Sequence, residues 1–332
     1  RGAALALKSR LLLYAASDLW NTDSWTQGYS HPELVTLEKK DRRDRWTEAA
    51  AAAKAVIDLS AEAGYGLMER YSDLGKITQS PELILVRRIN GNTNTFEKLN
   101  FPAGFPNGEG RVTPSQNLVD AYEMIDGTPF DWNNPEHKSN PYANRDPRLA
   151  MSILTNNVEF KDRTIEAWTG GRDGKGVIHA TRTGYYIYKF IDPNLDLLQN
   201  RTSVHHWVIM RYAEILLSYA EAMNEAYGPT GNVGYRLNAV RALNQVRNRV
   251  GVEMPAVPTA ISKEELREKI RNERRVELAF EDHRFWDVRR WMIAPETLGA
   301  PLRGVEITKI SDEEFEYKPI EVEKRTFEPK MY

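Results

Sequence analysis

A mainly α fold is predicted for this 332-residue chain: tetratricopeptide-like helical hairpins forming a scaffold, with long irregular excursions and a few short strands. Three observations predict it. Near both ends of the chain apolar residues recur at three- and four-residue spacing, as on one face of a helix. Small residues, above all the alanine run Ala49 to Ala53, sit where a second helix would approach closely. Between the helical ends, from Tyr65 to about His206, the periodicity breaks and turn residues multiply, among them Pro81, Pro102, Gly104, Pro106, Gly127, Pro129, Pro141 and Pro147. The hairpin logic is that of a repeat scaffold, although the literal tetratricopeptide consensus is absent.

In order along the chain, Ala4, Leu7, Leu11 and Ala15 mark a first helix running to about Asp18. A polar, aromatic loop follows from Trp20 to Tyr29. The second helix covers roughly Arg45 to Ala63, where alanine supplies the best helix propensity and Gly64 the left-handed terminator. In the excursions, 83–86 and 184–190 read as short strands and Ser115 to Met124 as a helix. Regular helix returns at Trp207 and runs to Tyr227 on the stripe Ile209, Ala213, Leu216, Ala220, Met223 and Tyr227, stopped by Gly228-Pro229. A partner helix carries Leu237, Val240, Leu243 and Val246 and closes at Gly251. Ser262 with Glu265 three positions on forms a capping box, and Ile261 can staple onto Leu266, so the next helix starts there and runs to about Phe280. A shorter helix spans Arg284 to Met292, and beyond Pro295 a hairpin pairs 305–307 with 315–317. We therefore expect one domain over 1–332: a helical part at 1–64, ligand-binding excursions at 65–206, helices at 207–292 and an extended part at 293–332.

Composition narrows the function classes. The absence of cysteine removes thiol catalysis, cysteine-ligated zinc and disulfide scaffolds. With 45 basic against 47 acidic residues and a net charge of −2, nothing points to nucleic acid, whose binders concentrate positive charge. No apolar run is long enough to span a membrane. The sequence opens in register with a helical stripe and closes on an aromatic extended stretch, so it reads as part of a longer protein, with any targeting signal or lipid anchor upstream.

Local motifs for catalysis or metal are weak. Gly170 to Gly176 lacks the spacing and the Ser or Thr of a phosphate loop, and reads as a flexible turn. His205-His206 is adjacent, so the rings diverge and no zinc site follows. Asn90 to Asn94 lacks the calcium-loop pattern and also reads as a turn. The densest pattern, Ile270 to Trp291, interleaves bases and acids almost evenly. Glu273, Glu277 and Glu281 are better read as members of ion-pair networks clamping helices than as a catalytic carboxylate pair.

Within that pattern, Arg274-Arg275-Val276-Glu277-Leu278-Ala279-Phe280-Glu281-Asp282-His283-Arg284-Phe285-Trp286-Asp287-Val288-Arg289-Arg290-Trp291 closely resembles the C-terminal signature of the SusD/RagB family, the surface glycan-binding lipoproteins of Bacteroidota nutrient-uptake systems. Three further blocks agree in order. Ala6-Leu7-Lys8-Ser9-Arg10-Leu11-Leu12-Leu13-Tyr14-Ala15-Ala16 is similar to the family's early repeat helix. Val119-Asp120-Ala121-Tyr122-Glu123-Met124 with Asn144-Arg145-Asp146-Pro147-Arg148-Leu149 resembles its middle region. Met210 to Ala222 followed by Ala242 to Arg249 resembles its late hairpin. The resemblance implies a helical scaffold whose irregular face carries the ligand site, no catalysis and no cofactor or metal. It also implies a glycan or oligosaccharide ligand, docking onto a SusC-like TonB-dependent transporter, and a lipid anchor at the outer-membrane surface. The acylated cysteine and lipoprotein signal of the family are not in this sequence.

Glycan recognition needs flat aromatic faces for sugar rings and planar polar groups for hydroxyls. Three loop clusters supply them: Trp20, Trp25 and Tyr29 with Asn21 and Asp23; Asp131, Trp132, Asn133 and Asn134 near Tyr142; and Trp168 beside Arg172. Trp286 and Trp291, in the signature, read as core. Two other classes stay open on the residues alone: a glycoside hydrolase using two of the 47 acids, and a helical-repeat scaffold that binds peptide or protein.

Overall fold

The computed structural model describes residues 1–22, 24–89 and 93–328. Its helical layer is built by α1 (Gly2–Ala16) and α2 (Arg42–Ala63), which pack on each other. Asp41 caps α2 by accepting from the amides of Arg43 and Asp44, and Gly64 ends it at φ 69°, the left-handed conformation expected of a terminator. Ala49, Ala50 and Ala53 are buried against the later helices, so the alanine run does let backbones approach.

The excursions carry β1 (Leu83–Arg88), α3 (Thr95–Asn100), α4 (Gln116–Val119), α5 (Pro135–Ser139), α6 (Arg148–Ser152), β2 (Ile153–Leu154), β3 (Glu159–Phe160), β4 (Arg163–Thr164) and β5 (Tyr186–Ile187). Two expectations are corrected here. The helix expected at Ser115 to Met124 is one turn only: the Arg145 guanidinium takes the carbonyls of Val119 (2.6 Å) and Tyr122 (2.7 Å), which continued helix would need. The strand expected at 184–190 is reduced to two residues paired with β2, because Gly184 (φ 87°) and Phe190 (φ 72°) turn the chain at either end. The run Asn90 to Asn94 lies largely outside the described residues.

β6 (His206–Arg211) and α7 (Tyr212–Tyr227) correct a third expectation. The helix starts five residues later than its apolar stripe suggests. His206, Val208 and Met210 are buried while Trp207 is exposed, a period of two, and β6 pairs antiparallel with β1 through Val86 and Val208. The partner strand is remote in sequence, so no local pattern reports it.

α7 is buried almost all round, at the centre of the layer, touching α1, α2, α8 (Ala239–Arg247) and α9 (Lys263–Glu277). The predicted capping box of α9 is formed in both directions between Ser262 and Glu265, and Ile261 packs on the same cluster as Leu266. α9 ends at Glu277, short of Phe280, which is itself left-handed at φ 65°. α10 (Arg284–Arg290), α11 (Ala294–Leu298) and the hairpin β7 (Leu302–Lys309) and β8 (Phe315–Glu323) complete the chain.

A second, aromatic core lies under the excursions, with Phe101, Phe105, Phe160, Tyr185 and Tyr186 buried beside Val305, Ile307 and Tyr317 of the hairpin. β7 is held there by Val305 N donating to Thr183 O (2.9 Å) and Thr169 N to Ile307 O (3.0 Å). Gly304 is required for this contact, since a Cβ on it would stand 2.7 Å from Thr183 Cα.

The two cores are joined by buried ions. Arg211 contacts Glu277 and Glu281 (both 2.7 Å) and also Glu82; Arg249 bridges Glu82 and Glu277 (both 2.7 Å); Arg148 reaches Glu277 (2.8 Å) and Glu273. Glu273, Glu277 and Glu281 are therefore engaged by arginines from three separate parts of the chain, the clamping network their pattern suggests.

Candidate functional site

The site is built up from the loop after α5. Arg145 is buried and, among the described residues, has no carboxylate in salt-bridge contact; its donors go to Val119 O, Tyr122 O and Pro141 O (2.6 Å), and burial lowers its guanidinium to about 10. The next residues are fixed by charge: Asp146 pairs with Arg148 (2.7 Å), which spans to α9. Tyr142 lies in the same loop, between α5 and Arg145. Its ring stands edge-on to Tyr317 (centroids 5.3 Å) and to Tyr185 (6.0 Å), and its hydroxyl donates to that of Tyr185 (3.3 Å).

Opposite stands β8, where aromatic and charged residues alternate, so that Phe315 and Tyr317 face inward. Tyr317 accepts a long bond from Asn156 Nδ2 (3.4 Å), while Asn156 Oδ1 accepts the amide of Ala167 (3.1 Å). Between these walls opens a cavity of about 960 Å³, bordered by Tyr142, Phe315, Tyr317, Asn140, Asn156 and Asn157. Burial raises the Tyr142 phenol well above its ordinary range, and burial also raises Tyr317, so both remain neutral hydroxyl groups. Aromatic edges and faces with amide groups around a space of this size can hold a sugar of a few rings and satisfy its hydroxyls.

The structure distributes the sequence-predicted residues unevenly. Tyr142 borders the cavity. Trp168 stands directly behind its wall, tilted 32° against Phe315 at 5.3 Å with Lys309 Nζ 5.0 Å from its ring. Arg172 is exposed and paired with Glu166 (2.5 Å). The Asp131 to Asn134 run is occupied locally: Trp132 gives its indole N–H to Asp120 (3.0 Å), Asp131 accepts from the Asn133 amide (2.8 Å), and Asn134 caps α5 through the Glu136 amide (2.9 Å). Trp20 and Trp25 are half-buried beyond the end of α1, away from the cavity, and Trp25 donates to Leu19 O (2.8 Å) with Tyr29 edge-on at 6.0 Å. Asn21 bonds Ala15 O and Ser17 O, and Asp23 lies outside the described residues.

Phe315, Tyr317 and Asn156 were not singled out by sequence reasoning. The signal for the first two was present, an aromatic-charged alternation at 315–317, but it reports only a strand. The core reading of Trp291 holds at 4% exposure, whereas Trp286 is 53% exposed and Phe285 49%, edge-on to each other at 5.1 Å. The correction has a simple cause: α10 is short and turns its buried face, Asp287, Val288 and Arg290, inward, leaving Phe285 and Trp286 on the other. A serine, histidine and glutamate also meet elsewhere, at Ser203, His205 and Glu97. Both partners approach the same nitrogen, His205 Nε2 (3.0 and 2.8 Å), so the ring does not relay between them.

Known proteins place this architecture. The sequence model of the SusD family matches residues 81–332. The SusD-like protein P2 of Formosa agariphila is 34% identical over 120 residues, 35% of this chain and 22% of that protein. A crystal structure of a SusD-like protein of Bacteroides fragilis superposes with a TM-score of 0.73 at 29% identity, covering 99% of this chain and 60% of that one. A SusD-like carbohydrate binding protein of the same organism gives 0.75 at 25% identity, covering 98% and 60%. The chain thus spans less than two thirds of the length of these relatives. A match over residues 81–332 is most of its own length, and the chain belongs to the SusD family.

Proposed function

We propose that this chain, acting as one unit over 1–332, captures a glycan or oligosaccharide in the cavity between Tyr142 and β8. The observation that carries the reading is the joining of Tyr142, Phe315, Tyr317 and Asn156 from distant segments around a space of about 960 Å³ in a SusD-family fold. The carbohydrate binding named for the Bacteroides fragilis relative supports it. The ligand is held without being cleaved and passed to a SusC-like TonB-dependent transporter, and the protein works as a lipoprotein at the outer-membrane surface. Family membership is what supports these last steps. Among the described residues no helix is long and apolar enough to cross a membrane.

Affinity electrophoresis against a polysaccharide panel, with reducing-end release followed in the same samples, tests the reading. Retardation without new reducing ends is expected, and Phe315→Ala is expected to weaken it about tenfold or more, as loss of a stacked ring does. New reducing ends would make the protein a glycoside hydrolase instead. Retardation unaffected by Phe315→Ala and Tyr142→Ala would remove the cavity from consideration.

A further inference from the structure

The charge around the cavity is one-sided. The turn and first residues of β8 bring Glu313, Glu314 and Glu316 to its border, all exposed, and among the described residues none of these carboxylates enters an ion pair or side-chain hydrogen bond. The facing wall offers one exposed cation, Lys138. Of the other charged groups at the border, Asp146 is paired with Arg148, while Arg145 is buried and gives its donors to three backbone carbonyls, which leaves its positive charge in the wall. Three unpaired negative charges on one rim of the same cavity give its mouth a negative potential, screened as salt is raised. A carboxylate or sulfate on the ligand meets that potential at once. An uncharged sugar does not.

Resting on the reading that this cavity binds glycans, we propose that Glu313, Glu314 and Glu316 set its specificity, restricting it to glycans free of carboxylate and sulfate groups. Lys138 and the buried Arg145 guanidinium work against this selection, and the three carboxylates outnumber them.

The test uses matched pairs that differ only in charge. Amylose, galactomannan, galactan and laminarin are compared with the same polymers after oxidation of their primary hydroxyls to carboxylates; polygalacturonate and alginate are compared with their carboxyl-reduced forms. Each member of a bound pair that carries carboxylates is expected to bind about tenfold more weakly at low salt, the gap closing as salt is raised. The triple variant E313Q/E314Q/E316Q, altered only at exposed positions, should narrow the gap to about twofold while neutral binding stays within about twofold of the unaltered protein. An acidic polymer that binds as tightly as its neutral partner, through contacts abolished by Phe315→Ala, overturns the proposal and leaves glycan capture standing. A gap of unchanged size in the triple variant overturns the role of the three glutamates. Silence on every polymer, charged and neutral, overturns the glycan reading and this proposal together.

Discussion

At the scale of single residues, burial separates tryptophans that composition cannot. Trp291 is enclosed, its indole donating to Glu221 (2.7 Å) with the guanidinium groups of Arg290 and Arg271 at 4.7 and 5.0 Å from its ring, whereas Trp286 lies half in solvent. Trp291→Ala should therefore cost about 3–5 kcal/mol and also leave Glu221 short of a donor, while Trp286→Ala should change stability by well under ~1 kcal/mol. Urea unfolding of both variants checks this, and equal midpoints would contradict it. The two residues are five apart in one motif and equally aromatic. Only the position of α10 on the helical layer distinguishes them.

At the scale of elements, signals carried within a few residues were legible and those needing a distant partner were not. The α9 capping box could be read from Ser262 and Glu265 because both its hydrogen bonds close within four residues. Ser262→Ala is expected to lower stability by about 1 kcal/mol, seen as a drop in the unfolding midpoint; an unchanged midpoint would mean that tertiary contacts alone fix that helix start. β6 is the opposite case. Its residues satisfy a helical stripe, and they are drawn into a strand by the free edge of β1, from which they are separated by most of the excursions. The single turn of α4 fails for the same reason, since the arginine that diverts its carbonyls sits at position 145.

At the scale of the whole molecule, the buried network makes stability depend on acid. Burial alone would raise the Glu281 carboxyl, but Arg211 and Lys189 overcome it and hold the group down to about 2. Burial likewise opposes ionisation of Glu277 and Asp287, and Arg249, Arg211 and Arg148 for the one, and Arg274 and Arg290 for the other, keep both well below the usual carboxylate range. A carboxyl whose folded value is depressed contributes stability that is fully present above its unfolded value, near ~4.3, and is lost as pH falls toward the folded one. For Glu281 alone the contribution is on the order of 3 kcal/mol. The melting temperature should be nearly level between about pH 7 and 5 and fall steeply below about pH 4. A protein that melts at pH 3 as it does at pH 7 would show that these ion pairs do not carry the junction between the two cores.

The sequence by itself determined the helical class, the positions of the long helices, the closing hairpin, the clamping role of Glu273, Glu277 and Glu281, and the family, because periodicity, caps and contiguous motifs are written in neighbouring residues. Tyr142 could be named for the same reason, as an aromatic in a polar loop. Its partners could not. Phe315 and Tyr317 come from the far end of the chain and Asn156 from between two short strands, and they meet Tyr142 only because β7 pairs with Thr183 and Thr169 and Arg148 ties the loop to α9. The tertiary structure decided the cavity and its acidic rim, since a cavity walled by three separate segments exists only once hydrogen bonds and buried charges have fixed the distances between them.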